Sequence, residues 1–169
     1  LLRFPDSPSL RPTPDRVRET LFNWLGNDLR GLSCLDLFAG SGALGFEAAS
    51  RGAERVVLVD NSPKVLAALE LNARTLGMAG RLEIVRSDAV RFATSTQQRF
   101  DVLFLDPPFN AGWIELLAAS VPAIVAPDGV IYVEAERACG ALWQLAHGAQ
   151  WAGRPGFLSL DETRRSGWH

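Results

Sequence analysis

Lysine is almost absent from this chain. Lys64 is the only one among 17 basic residues, so nearly all positive charge is arginine. Arginine suits bidentate phosphate contacts, but a GC-rich genome produces the same bias, and that explanation carries more weight. There is no excess of positive charge either. With 19 acidic residues the net charge is −2, so contact with nucleic acid has to come from a local patch rather than a global field. Cysteine is scarce. Cys34 and Cys139 lack close metal-ligand spacing and are too few for a disulfide framework. They point to a reducing, cytoplasmic setting, with Cys34 packed as a small hydrophobe and no metal bound. No stretch approaches the length of a membrane span, and the first residues lack the apolar core of a signal peptide. The chain starts at Leu1 rather than methionine, so a trimmed start is expected. No internal repeat or low-complexity tract is present. What remains is 169 residues, 47% apolar, enough for one domain with a real core.

Residues 1–12 hold three prolines and two arginines and read as an extended arm. Thr13-Pro14 opens a helix over about 14–25, with Val17, Leu21, Trp24 and Leu25 on one face. Arg11, Arg16 and Arg18 cluster near its start, as a solvated basic face or as phosphate or ligand contacts. From residue 33 strands and helices alternate. Strands are predicted at Ser33–Phe38, Arg55–Asp60, Arg81–Arg86, Phe100–Leu105 and Gly129–Glu134. Helices are predicted up to Arg51, after the Ser62-Pro63 cap, over 89–95, over Trp113–Ser120 and over 137–147. Phe157–Leu160 and Arg164–His169 read as two last strands. This alternation implies an α/β fold with a parallel, doubly wound sheet. Residues 1–169 then form one domain with an N-terminal arm and helix over about residues 1–26.

In such sheets ligands bind beyond the carboxyl ends of the strands. The unusual residues fall there. Asp36 and a glycine-rich turn follow the first strand, Asp60 ends the second, Asp88 follows the third, and Asp106-Pro107-Pro108-Phe109 follows the fourth. Gly40-x-Gly42-x-x-Gly45 with an acid 20 residues after Gly40 matches a dinucleotide fingerprint, but S-adenosylmethionine uses the same elements. Asp36 would oppose a pyrophosphate and favour a methionine ammonium. The chain is also short for a dehydrogenase, and no hydride-transfer acid or base lies near the ligand edge. Tyr132 sits inside a strand, His147 ends a helix and Lys64 belongs to an early helix. S-adenosylmethionine is therefore the expected cofactor.

The Asp-Pro-Pro-Phe corner is stiff, since proline cannot continue a strand ladder. It offers a carboxylate, carbonyl acceptors and a flat ring, which together suit a planar group bearing an exocyclic amine. A plain strand end with a turn is the bland reading. The segment Asp36–Gly45 together with Asp106–Phe109 resembles class I methyltransferases that act on a base amine. Arg11-Pro-Thr-Pro-Asp-Arg-Val-Arg-Glu-Thr-Leu-Phe-Asn-Trp-Leu25 resembles the signature of the RsmD family, bacterial 16S ribosomal RNA guanine-N2 methyltransferases. The likeness spans about residues 3–136.

The resemblance implies a Rossmann-like sheet in the order 3-2-1-4-5-7-6, the last strand antiparallel and incomplete here, and a short segment ahead of Arg3. It implies a monomer acting on 16S rRNA in the small ribosomal subunit. For the cofactor it implies Asp36, Gly40 and Gly42 against the methionine part, Asp60 on the ribose hydroxyls and Asp88 on the adenine amine. Asn61 and Ala89 would lie beside the adenosine, and Phe38 in the core with an edge near it. Arg11 and Thr13 would border the site. Asp106 and Pro107 would accept from the target amine, with Pro108 fixing the corner and Phe109 stacking on the base. Asp60 and Asp88 also fit plain helix-cap roles, and Trp113 fits an RNA contact or a helix anchor. Two other functions remain: an adenine-N6 DNA methyltransferase, and a non-catalytic RNA-binding assembly factor.

Overall fold

The structure, a computed structural model, describes residues 15–108, 112–135, 156–161 and 164–168. The N-terminal arm, the helix expected over 137–147, and Arg11, Thr13 and Phe109 lie outside the described residues. The order is α1 (Asp15–Leu25), β1 (Ser33–Asp36), α2 (Ala43–Ser50), β2 (Arg55–Asp60), α3 (Pro63–Thr75), β3 (Leu82–Arg86), α4 (Ala89–Ser95), β4 (Phe100–Leu105), α5 (Trp113–Ala118), α6 (Val121–Ile124), β5 (Val125–Ala135), β6 (Gly156–Asp161) and β7 (Arg164–Trp168).

The interiors of β2 and β4 are buried on both faces, as expected of central parallel strands covered by helices. One apolar layer joins Leu21 and Phe22 of α1, Phe46 of α2 and Leu69 of α3 to Leu58, Phe104 and Tyr132. The opposite layer joins Ala93 of α4, Leu117 of α5 and Ile124 of α6 to Leu35, Val57, Leu103 and Ile131. Helix α1 is further tied to α2. Arg18 lies 3.8 Å from Glu47, and the Arg51 guanidinium sits 4.9 Å over the Phe22 ring. Arg18 thus bridges two helices.

The sheet order is β3-β2-β1-β4-β5-β6-β7. The first five strands follow expectation; the last two reverse it. The predicted order placed the final strand between the fifth and sixth. Instead β6 occupies the edge of β5 directly, in parallel register from Val130↔Gly156 to Ala135↔Asp161. With that edge taken, and Asp161 already paired with Arg164, the short link leaves β7 only the outer edge of β6. β7 is antiparallel, as expected of the last strand.

Two smaller differences have local causes. Strand β5 begins at Val125 rather than Gly129. Its pairing jumps from Phe100↔Val125 to Val102↔Val130, so extra residues including Pro127 form a bulge. A Cβ on Gly129 would meet Val125 Cγ1 at 2.7 Å and the Phe100 carbonyl at 3.0 Å, which explains glycine there. The helix predicted over Trp113–Ser120 ends at Ala118, and a second starts at Val121 with Pro122 in its first turn. Proline is accepted at that position but not inside a continuing helix.

Gly45 sets how close α2 comes to the sheet. A Cβ there would lie 2.1 Å from Leu58 Cδ2. Gly45→Val is expected to cost about 3 kcal/mol or more through overpacking. Urea unfolding of the variant beside wild type checks this, and an unchanged midpoint would show that the helix can shift outward freely.

Candidate active site

The carboxyl ends of β1, β2, β4 and β5 carry the polar side chains. Asp36 ends β1 and is only 2% exposed. Its Oδ1 has no hydrogen-bond partner, although it is fully buried. Burial pushes the Asp36 carboxyl up to about 7, and the nearby Asp106 charge adds to this. The backbone N–H of Phe38 pulls the other way, Asp60 adds to the rise, and the N–H of Gly45 lowers it. A buried carboxylate oxygen without a donor is costly, which is why burial raises this carboxyl so far.

The turn after β1 is held by its backbone. The Leu37 N–H donates to the Phe104 carbonyl at 3.3 Å, and the Ala39 N–H to the Val59 carbonyl at 2.9 Å. Gly40 and Gly42 have φ of 47° and 77°, a left-handed region that glycine enters without penalty. A Cβ on Gly42 would also come within 2.6 Å of Leu69 and Phe46. The Gly40 N–H donates to Asp60 Oδ2 at 3.1 Å, and the Ser62 N–H donates to Asp60 Oδ1 at 2.8 Å. Asp60 is therefore a clamp between two turns, not merely a cap. Each oxygen has lone-pair capacity beyond one amide, so a fixed carboxylate can still accept from hydroxyls. Asn61, the next residue, is exposed.

Asp88 caps α4, accepting from the Arg91 N–H at 3.1 Å through Oδ1. Ala89 opens that helix and is buried. The Ser87 N–H donates to the Asp60 carbonyl at 3.1 Å, which joins the β2 and β3 ends. Asp106 and Pro107 are half-buried and Pro108 is exposed. The Phe38 and Trp113 rings meet edge-on, with centroids 5.5 Å apart. Trp113 thus anchors α5 on the glycine turn, as the helix-anchor reading expected.

Sequence reasoning missed one pair. Tyr132 lies inside β5 and is fully buried. Its hydroxyl nevertheless reaches the strand end and donates to Glu134 Oε2 at 3.1 Å. Burial and the charges of Glu134 and Asp106 push this phenol far above its ordinary range. The period-two alternation of a strand puts Tyr132 and Glu134 on one face, and that pattern was the available signal.

Among the described residues no group of three or more His, Cys, Asp or Glu side chains is placed to hold a metal ion. No described helix is long and apolar enough to cross a membrane. A cleft of about 500 Å³ lies at the opposite edge of the sheet, lined by Ser33, Arg55, Arg81 and Glu83 among others. There Arg55 pairs with Glu83, far from the carboxylate edge.

A glycine turn after β1, acids ending β1 and β2, and an Asp-Pro-Pro corner after β4 on a Rossmann-like sheet define an α/β methyltransferase. Residues 1–152 match the family model described as "Conserved hypothetical protein 95". Ribosomal RNA small subunit methyltransferase D of Escherichia coli is 44% identical over 80% of this chain and 69% of its own. Putative rRNA methyltransferase YlbH of Bacillus subtilis is 37% identical over 76% and 73%. The solved structure titled putative methyltransferase yhhF from Escherichia coli superposes with a TM-score of 0.68 at 42% identity, covering 78% of this chain and 72% of that one. The chain belongs to this family, the RsmD family of methyltransferases.

Proposed function

We propose that this enzyme transfers a methyl group from S-adenosylmethionine to the exocyclic N2 amine of a guanine in 16S ribosomal RNA of the small subunit. The observation that carries the cofactor assignment is Asp36. Its buried, partnerless oxygen suits an ammonium donor, and the negative edge formed with Asp106 and Asp60 suits a cationic ligand. The residues fit the group. Gly40 and Gly42, both at positive φ, shape the turn that follows Asp36, where the methionine part would lie, and Asp60 accepts from ribose hydroxyls. Asp88 and the Asn61 and Ala89 positions border the adenosine, with Phe38 behind. S-adenosylmethionine, when bound, supplies a methyl already activated on sulfonium.

The chain's own residues then handle the nucleophile. An exocyclic amine has its lone pair delocalised into the ring. Asp106 and the Pro107 carbonyl accept from that amine and favour a pyramidal nitrogen. They also stabilise the positive charge that develops on it. Pro107 and Pro108 hold the acceptors still, which is the positioning such a reaction requires. Phe109 stacks on the extruded base, a contact worth about 1–3 kcal/mol. The protein acts as a monomer in the cytoplasm.

The rRNA assignment is supported by the Escherichia coli and Bacillus subtilis relatives, both named for rRNA methylation. The test is transfer of labelled methyl from S-adenosylmethionine to small subunits lacking the modification, with free 16S rRNA and naked DNA alongside. Label on the rRNA, in subunits or free, is expected. Label on DNA alone would make this an adenine-N6 DNA enzyme, and no label on any substrate would favour an assembly factor.

A further inference from the structure

The Tyr132–Glu134 pair lies beside the proposed amine clamp but has no part in the chemistry above. Strands β4 and β5 are parallel, and Leu105 pairs with Val133. Asp106 and Glu134 are the next residue on each strand. Adjacent strands lie about 4.8 Å apart, so the two carboxylates leave the sheet as neighbours. They share a face as well. Phe104 and Tyr132, two residues before each, meet edge-on with centroids 6.4 Å apart. The fully buried Tyr132 hydroxyl commits its single donor to Glu134 Oε2 at 3.1 Å, which fixes the orientation of that carboxylate. On the other flank of Asp106, the 2% exposed Asp36 keeps an oxygen without a partner. Acceptors therefore line this edge on both sides of the clamp.

The bases differ in what they would present to two neighbouring acceptors. The pairing edge of guanine carries N1–H beside the N2 amine, so two donors stand side by side. Adenine carries its N6 amine beside a bare N1, a donor next to an acceptor. A second carboxylate beside the amine clamp is matched by guanine and repelled by adenine N1. We propose that Glu134, held by the Tyr132 hydroxyl, accepts from the N1–H of the target guanine and is the residue that separates guanine from adenine. This rests on the guanine-N2 reading above and adds to it the residue that enforces the choice of base.

The test compares small subunits reconstituted with guanine or 2-aminopurine at the methylated position. 2-Aminopurine keeps the amine but has a bare N1. Wild-type kcat/KM is expected to fall by about 10²-fold or more with 2-aminopurine, because an acceptor covered by the bound base is left unmatched. In Glu134→Gln the two substrates should approach parity, because an amide can turn either its oxygen or its NH₂ toward N1. Tyr132→Phe, which removes the hydroxyl donor from Glu134 Oε2, should give an intermediate preference. Cofactor affinity by calorimetry should hold in both variants. Equal wild-type rates on the two bases, or full preference retained in Glu134→Gln, would overturn the proposal and leave the guanine-N2 reading standing. Cofactor affinity lost in step with turnover would also overturn it, making the pair structural. Absence of wild-type methylation on guanine subunits would instead remove the underlying reading and this inference together.

Discussion

Asp106→Ala is expected to lower turnover by about 10²-fold or more, the scale seen when a transition-state hydrogen-bond partner is removed, while cofactor affinity holds. The carboxylate follows a strand buried on both faces and precedes two prolines, so its position is fixed before substrate arrives. In the ground state the amine is neutral and gains little from a carboxylate. In the transition state it carries positive charge, and the same contact becomes strong. The loss should therefore appear in the rate of transfer rather than in binding. Asp106 also helps to hold the neighbouring Asp36 carboxyl above its ordinary value. Its removal should let Asp36 ionise more readily, which favours a cationic ligand. Single-turnover transfer and calorimetric titration of the cofactor separate the two effects. Equal losses in both would make Asp106 a structural residue.

The second large effect concerns Asp36. Its carboxyl is pushed from 3.8 up to about 7, so between those values the native state binds a proton that the unfolded chain does not. Stability therefore falls as pH rises from about 4 toward 7. Above 7 the buried carboxylate costs on the order of 4 kcal/mol. Asparagine cannot ionise. Asp36→Asn is expected to unfold at higher denaturant than wild type at pH 8 and to lose that advantage near pH 4. The same substitution should weaken cofactor binding by roughly 10- to 100-fold, as a charged acceptor becomes neutral. Stability would thus rise where function falls, as expected of a residue retained for a ligand. Destabilisation of equal size at both pH values would instead mean that the carboxylate is needed for the fold.

Much of the architecture was legible because central parallel strands are short apolar runs between turn residues. Strands β2 and β4, helix α4 and the Ser62 cap fall where the sequence places them. The order of β6 and β7 was not legible. It depends on which strand takes the edge of β5, and that is a competition between pairings rather than a local pattern. The split between α5 and α6 was legible in principle from Pro122. At the site, Asp36, Asp60 and Asp106 gather on one edge as the strand ends predicted. The clamp of Asp60 on the Gly40 N–H was hidden, because it joins two turns that only the fold brings together. The reach of the Tyr132 hydroxyl was hidden because the residue itself lies inside a strand. A tyrosine is long enough for its ring to sit in the core while its oxygen reaches the strand end.

If the Asp106 clamp serves the N2 amine of a ribosomal guanine, the transferred methyl must be found on that nitrogen. The most direct test is to digest the rRNA product of the transfer reaction to nucleosides and identify the labelled species by mass spectrometry. N2-methylguanosine from 16S rRNA is expected, strongly reduced with Asp106→Ala. Label in N6-methyladenosine, or on a ribose or ring carbon, would contradict it.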